Sequence, residues 1–129
     1  REERRYIDMK LPLIQENGSI HVNRGDQLII TLNNDVSFSV GDKIKFSIMK
    51  KGNCEDVLFQ KVFTVEEESN VFDLVLTSDE TRIGNFLKSG TMTYWYEIEY
   101  NGINTLTGFD TEGAKEFVLY PEAAEKRGE

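Results

Sequence analysis

Glu97 and Glu99 stand two residues apart in an alternating run, a spacing that puts both carboxylates on one face of a strand. Paired acids are what glycoside hydrolysis needs, one to protonate the leaving group and one to act as nucleophile or base. Here the opposite face carries Tyr94, Tyr96 and Tyr100 and is the expected core, so the two acids are predicted to be a solvated, solubilising pair. A Ser, Cys or Thr nucleophile needs a base held beside it. The chain has one histidine, His21, in a predicted strand, and one cysteine, Cys54, in a predicted turn far from it in sequence. One His and one Cys cannot make an ordinary zinc site. Asp73, Asp110, Glu112 and the run Glu66-Glu67-Glu68 could hold a hard cation, but none has calcium-loop spacing, and no phosphate-binding glycine motif occurs. The expectation is a chain with no catalytic residue, no metal and no cofactor.

Two short motifs have plainer readings. Arg24-Gly25-Asp26 spells an adhesion tripeptide, yet it has the form of a turn before a strand, and Gly41-Asp42 repeats that use. Asn17-Gly18-Ser19 matches the glycosylation sequon, which matters only in a eukaryotic secreted protein. Trp95 points away from Tyr94 and Tyr96, with polar Thr93 and Glu97 beside it on its face. It is either an exposed anchor for a sugar or a protein, or it is covered by the N-terminal arm. Leu11, Leu13 and Ile14 form an apolar docking patch in that arm. Trp95, Leu11, Leu13 and Ile14 are therefore the candidate interface residues.

The 129 residues suit one domain, and 39% hydrophobic against 29% charged residues marks a globular chain. The net charge of −8 repels a phosphate backbone, and the basic clusters Arg1, Arg4, Arg5 and Lys50, Lys51 are short and mixed with acids. Nucleic acid is not an expected partner. No apolar run reaches the roughly twenty residues of a spanning helix, so a membrane is not expected either. A single cysteine permits no internal disulfide.

The positioning elements are strands. Residues 1–16 read as a charged arm, 17–121 as the folded domain, and 122–129 as a disordered tail. Within the domain, strands are predicted over Ser19–Asn23, Asp26–Leu32, a run opened by Gly41-Asp42, Val57–Val65, a run through Phe72, Leu74 and Leu76, Met92–Tyr100, Ile103–Thr107 and Glu116–Tyr120. Asn33-Asn34-Asp35 reads as a turn. Thr77 with Glu80 has the form of a capping box opening one short helical turn. Asn101-Gly102 is the strongest hairpin signal, because a type I′ turn needs positive φ at both central positions. Some seven to eight short strands at roughly ten-residue spacing predict an all-β sandwich or barrel. Phe46, Leu74, Tyr96 and Phe117 are predicted to share its interior.

From Gly41 to Tyr120 the chain resembles a phage family, the immunoglobulin-like N-terminal domain of baseplate upper proteins and related tail proteins. The resemblance is carried by Gly41-Asp42-Lys43-Ile44-Lys45-Phe46-Ser47-Ile48, by Leu76-Thr77 and Thr81, and by Gly90 with Tyr94-Trp95-Tyr96-Glu97-Ile98-Glu99. It continues through Asn101-Gly102-Ile103-Asn104-Thr105-Leu106, Gly108 and the closing Phe117-Val118-Leu119, with a longer loop than expected at Phe109 to Ala114. It implies an immunoglobulin-like antiparallel β-sandwich without enzymatic activity, docking onto other tail or baseplate proteins and forming a homo-oligomer. The location so implied is the virion, or the bacterial host cytoplasm during assembly. The competing expectation is a carbohydrate-binding or adhesion sandwich of a bacterial surface protein.

Overall fold

The computed structural model describes residues 13–14, 18–84, 90–108 and 113–121. Its strands are β1 (Leu13–Ile14), β2 (Ile20–Asn23), β3 (Leu28–Phe38), β4 (Lys43–Lys50), β5 (Asn53–Thr64), β6 (Ser69–Leu76), β7 (Met92–Tyr100), β8 (Asn104–Thr107) and β9 (Lys115–Tyr120). One sheet runs β1-β2-β9-β7-β4-β5 with β8 paired to β7, and β3 with β6 forms the second. Every pairing is antiparallel except β2 with β9. The described residues make an all-β sandwich with no helix.

Period-two alternation decides which side chains meet between the sheets. Ile44, Phe46 and Ile48 of β4, Tyr94, Tyr96 and Ile98 of β7, and Phe117 and Leu119 of β9 face Leu28 and Ile30 of β3 and Leu74 and Leu76 of β6, all buried. Phe46 is the aromatic centre, its ring 5.7 Å from Tyr96 and 6.2 Å from Phe117. Removing such a ring from water contributes about 1.5–3 kcal/mol.

Two details depart from the sequence expectation. β3 does not turn at Asn33-Asn34-Asp35 but continues to Phe38 through a register shift. The cause is Asn70, whose amide donates to the carbonyls of Asn34 and Asp35 at 2.9 and 3.1 Å, in place of ladder bonds. Val57 stands in alternation with the inward Phe59 and Phe63 but is 46% exposed, because an irregularity between Ile48 and Met49 pairs Val57 with Met49 on the outer face. The stretch after β6 closes as the single turn expected, with Thr81 N–H donating to the Thr77 carbonyl at 3.2 Å and the capping box complete. Thr77 N–H donates to Glu80 Oε1 at 2.8 Å and Glu80 N–H to Thr77 Oγ1 at 3.3 Å.

That turn is tied to Arg24-Gly25-Asp26 through Thr81, which is 0% exposed. Its hydroxyl donates toward the Asp26 carbonyl at 2.8 Å and accepts from Gly25 N–H at 3.0 Å. Arg24 spends its guanidinium on the carbonyls of Ile83 and Gly84, at 3.1 and 3.0 Å. The tripeptide is thus a packed turn, with Gly25 buried at φ +91. Thr81→Val keeps the shape but leaves Gly25 N–H and the Asp26 carbonyl without this partner. A loss of about 1–3 kcal/mol in urea unfolding is expected.

Candidate functional site

The strand directions bring three connections to the same end of the sandwich: the β3–β4 turn, the β5–β6 loop at 65–68 and the β7–β8 turn at 101–103. Short polar links bind them into one body. Gly41 N–H donates to the Val65 carbonyl and Val65 N–H to the Asp42 carbonyl, both at 2.9 Å. Asn101 N–H donates to the Lys43 carbonyl and Lys43 N–H to Asn101 Oδ1, both at 2.7 Å. The turn itself explains why Asn and Gly are used there. Asn101 and Gly102 hold φ of 54 and 69, and Ile103 N–H closes onto the Tyr100 carbonyl at 3.0 Å.

Asp42 is the hub. Its Oδ2 accepts from Ser39 N–H at 2.9 Å and from the Tyr100 hydroxyl, and its Oδ1 from the Asn101 amide at 3.3 Å. These donors, Tyr100 foremost, hold the Asp42 carboxyl below its ordinary value of 3.8. The same bond raises the Tyr100 hydroxyl above 10.0. Asp42, depressed in the fold, contributes stability that is present above 3.8 and lost as pH falls through its folded value. Tyr100, raised in the fold, contributes stability that is present below 10.0 and lost as pH rises through its folded value. Tyr100→Phe is therefore expected to flatten the pH dependence of the urea midpoint on both flanks. An unchanged profile would contradict the latch.

On this fixed base stand apolar side chains with no cover among the described residues. Val40 is 68% exposed on the β3–β4 turn, Ile103 is 80% exposed on the β7–β8 turn, and Val36 nearby on β3 is 72% exposed. Glu66, Glu67 and Glu68 are exposed beside them, and a shallow cavity of about 370 Å³ opens between Glu66, Glu67, Phe72 and Asp73. Apolar tips on a pre-ordered loop cluster lose little entropy on binding, the condition for a protein-docking surface.

The residues singled out from sequence fall elsewhere. Trp95 lies half-buried on the outer face of the large sheet, across from Met49 and Glu116. Leu13 and Ile14 pair with His21 and Ile20 in β1. β2 and β9 separate that strand from β7, so three strand spacings, roughly 14 Å, part it from Trp95. Leu11 lies outside the described residues, as do most of the arm and the tail 122–129. Tyr94 and Tyr96 are buried and Tyr100 serves Asp42, so these tyrosines form no stacking platform with Trp95.

The candidates for chemistry are likewise dispersed. Glu99 pairs with Lys45 at 3.0 Å, and Glu97 accepts from Thr105 at 3.5 Å. His21 Nδ1 lies 2.8 Å from the Tyr120 hydroxyl and its Nε2 3.2 Å from Ser19 Oγ. Cys54 is on β5 rather than in a turn, four strand spacings from β2, or roughly 19 Å. Asp73 accepts from Thr31 at 2.7 Å, while Asp110 and Glu112 lie outside the described residues. Among the described residues no three His, Cys, Asp or Glu side chains are grouped to hold a metal ion.

Val40 and Ile103 escaped the sequence reading. The available signal was an apolar residue wedged among turn formers, Val40 before Gly41-Asp42 and Ile103 after Asn101-Gly102. No family model, curated protein or solved structure matches the chain.

Proposed function

We propose that this domain is a non-catalytic docking module of the immunoglobulin-like type, working in a phage or prophage tail assembly and engaging a neighbouring subunit through its latched loop end. The observation that carries the reading is the pair of exposed apolar tips, Val40 and Ile103, on turns joined through Asp42, Tyr100 and Asn101. The strand order supports the immunoglobulin-like class. β9-β7-β4-β5 opposed by β3-β6 follows the G-F-C-C′ and B-E layers of such sandwiches. In that correspondence the loop end is where the B–C and F–G loops lie, the end that variable domains use for binding. The tail assignment rests on the resemblance between Gly41 and Tyr120.

The test is co-expression with the products of the genes beside its own, followed by light scattering on the purified material. A complex of fixed stoichiometry with a tail protein supports the reading. A chain that stays monomeric at high concentration and takes up no tail protein contradicts it.

A further inference from the structure

The long outer strand of the large sheet poses a problem that the docking end does not solve. β5 pairs with β4 on one side and ends the sheet order, and among the described residues nothing pairs with its other edge along Asn53–Thr64. Its sequence from Val57 to Thr64 is adhesive: Val57, Leu58, Phe59, Val62 and Phe63 in eight residues, with one charge and no proline. Val57, Leu58 and Val62 are 46%, 44% and 54% exposed. An edge of this composition is a template for the same edge of a second copy, pairing antiparallel about a two-fold axis.

The one charge in that run is placed unusually. Lys61 pairs with Phe46, so it points inward, between Phe59 and Phe63, on the face where alternation calls for an apolar residue. Its ammonium reaches across the open flank of the sandwich, donating to the Val75 carbonyl of β6 at 3.0 Å and to Glu80 Oε1 at 2.9 Å, and lies 5.0 Å from the Phe63 ring centroid. The Lys61 side chain keeps 30% of its surface exposed. A strand added beyond β5 would cover that remaining surface and strip water from the charge, which is costly.

We propose that Lys61 is the residue that keeps the β5 edge from pairing with the β5 edge of a second copy. The ladder irregularities between Ile48 and Met49 and between Met49 and Lys50 distort only the first part of the edge, leaving Phe59–Thr64 in regular register, where Lys61 sits. Docking in an assembly then falls to the loop end and not to strand addition at β5.

Sedimentation velocity on Lys61→Met, compared with wild type at equal concentration, tests this. The variant is expected to reach about double the wild-type mass or more, while Lys61→Arg keeps the wild-type mass. Adding Val62→Lys to Lys61→Met puts a charge back on the same edge and is expected to restore the wild-type mass. Lys61→Gln, which retains a donor for the Val75 carbonyl, takes the place of Lys61→Met if the latter shows no cooperative unfolding. A folded neutral variant with the wild-type mass overturns the proposal. So does self-association that Val62→Lys leaves in place, since that would arise from unfolding. None of these variants touches Val40 or Ile103, so failure here is distinguishable from failure of the docking end.

Discussion

Phe46→Ala is expected to destabilise the domain by about 3–5 kcal/mol. Phe46 is 0% exposed and packs on Tyr96 and Phe117, from two neighbouring strands of its own sheet, in the core closed by β3 and β6. Truncation forfeits the transfer free energy of the ring and leaves a cavity that paired strands cannot close without breaking ladder bonds. Domains of this kind hold about 5–15 kcal/mol in total, so the variant should unfold at a much lower urea concentration. Ile29→Ala is the matched control. Ile29 is 40% exposed on the outer face of β3, and its truncation should cost about 1 kcal/mol or less. Equal losses at the two sites would mean that Phe46 does not occupy a shared interior.

Val40→Asp combined with Ile103→Asp is expected to weaken the proposed docking to a tail partner by about a hundredfold or more, or about 2.7 kcal/mol. Both side chains are exposed and neither contributes to the core, so the unfolding midpoint should move by about 0.5 kcal/mol or less. Desolvating two carboxylates in an apolar contact costs more than the lost apolar area, which is why Asp discriminates more sharply than Ala. The charges also add to an end that already carries Glu66, Glu67 and Glu68. Isothermal titration of variant and wild type against the same partner measures the effect. Full affinity with unchanged stability would place the docking surface elsewhere.

Features set within a few residues were legible in the sequence. β7 runs over Met92–Tyr100 as its alternation requires, and the type I′ turn at Asn101-Gly102 and the Thr77–Glu80 capping box both form. Features that depend on distant partners were not. β3 passes through Asn33-Asn34-Asp35 because Asn70, 36 residues beyond Asn34, replaces the missing ladder bonds. The parallel pairing of β2 with β9 joins the two ends of the domain, and no local pattern encodes it. The loop end was hidden for the same reason: the Asp42–Tyr100 bond spans 58 residues, and without it Val40 and Ile103 are isolated apolar residues in unrelated turns. Alternation does tell that Trp95 points outward, but it gives no distance to β1, which the sheet order sets.

Binding through the latched loop end, as proposed, fixes which backbone amides a partner covers. Hydrogen exchange on the chain alone and in complex with the proposed tail partner reads this out. Slowed exchange confined to 36–42, 65–69 and 100–104 is the predicted result. Protection at the opposite end, around Arg24–Asp26 and Thr77–Arg82, with those three segments unchanged, would contradict it.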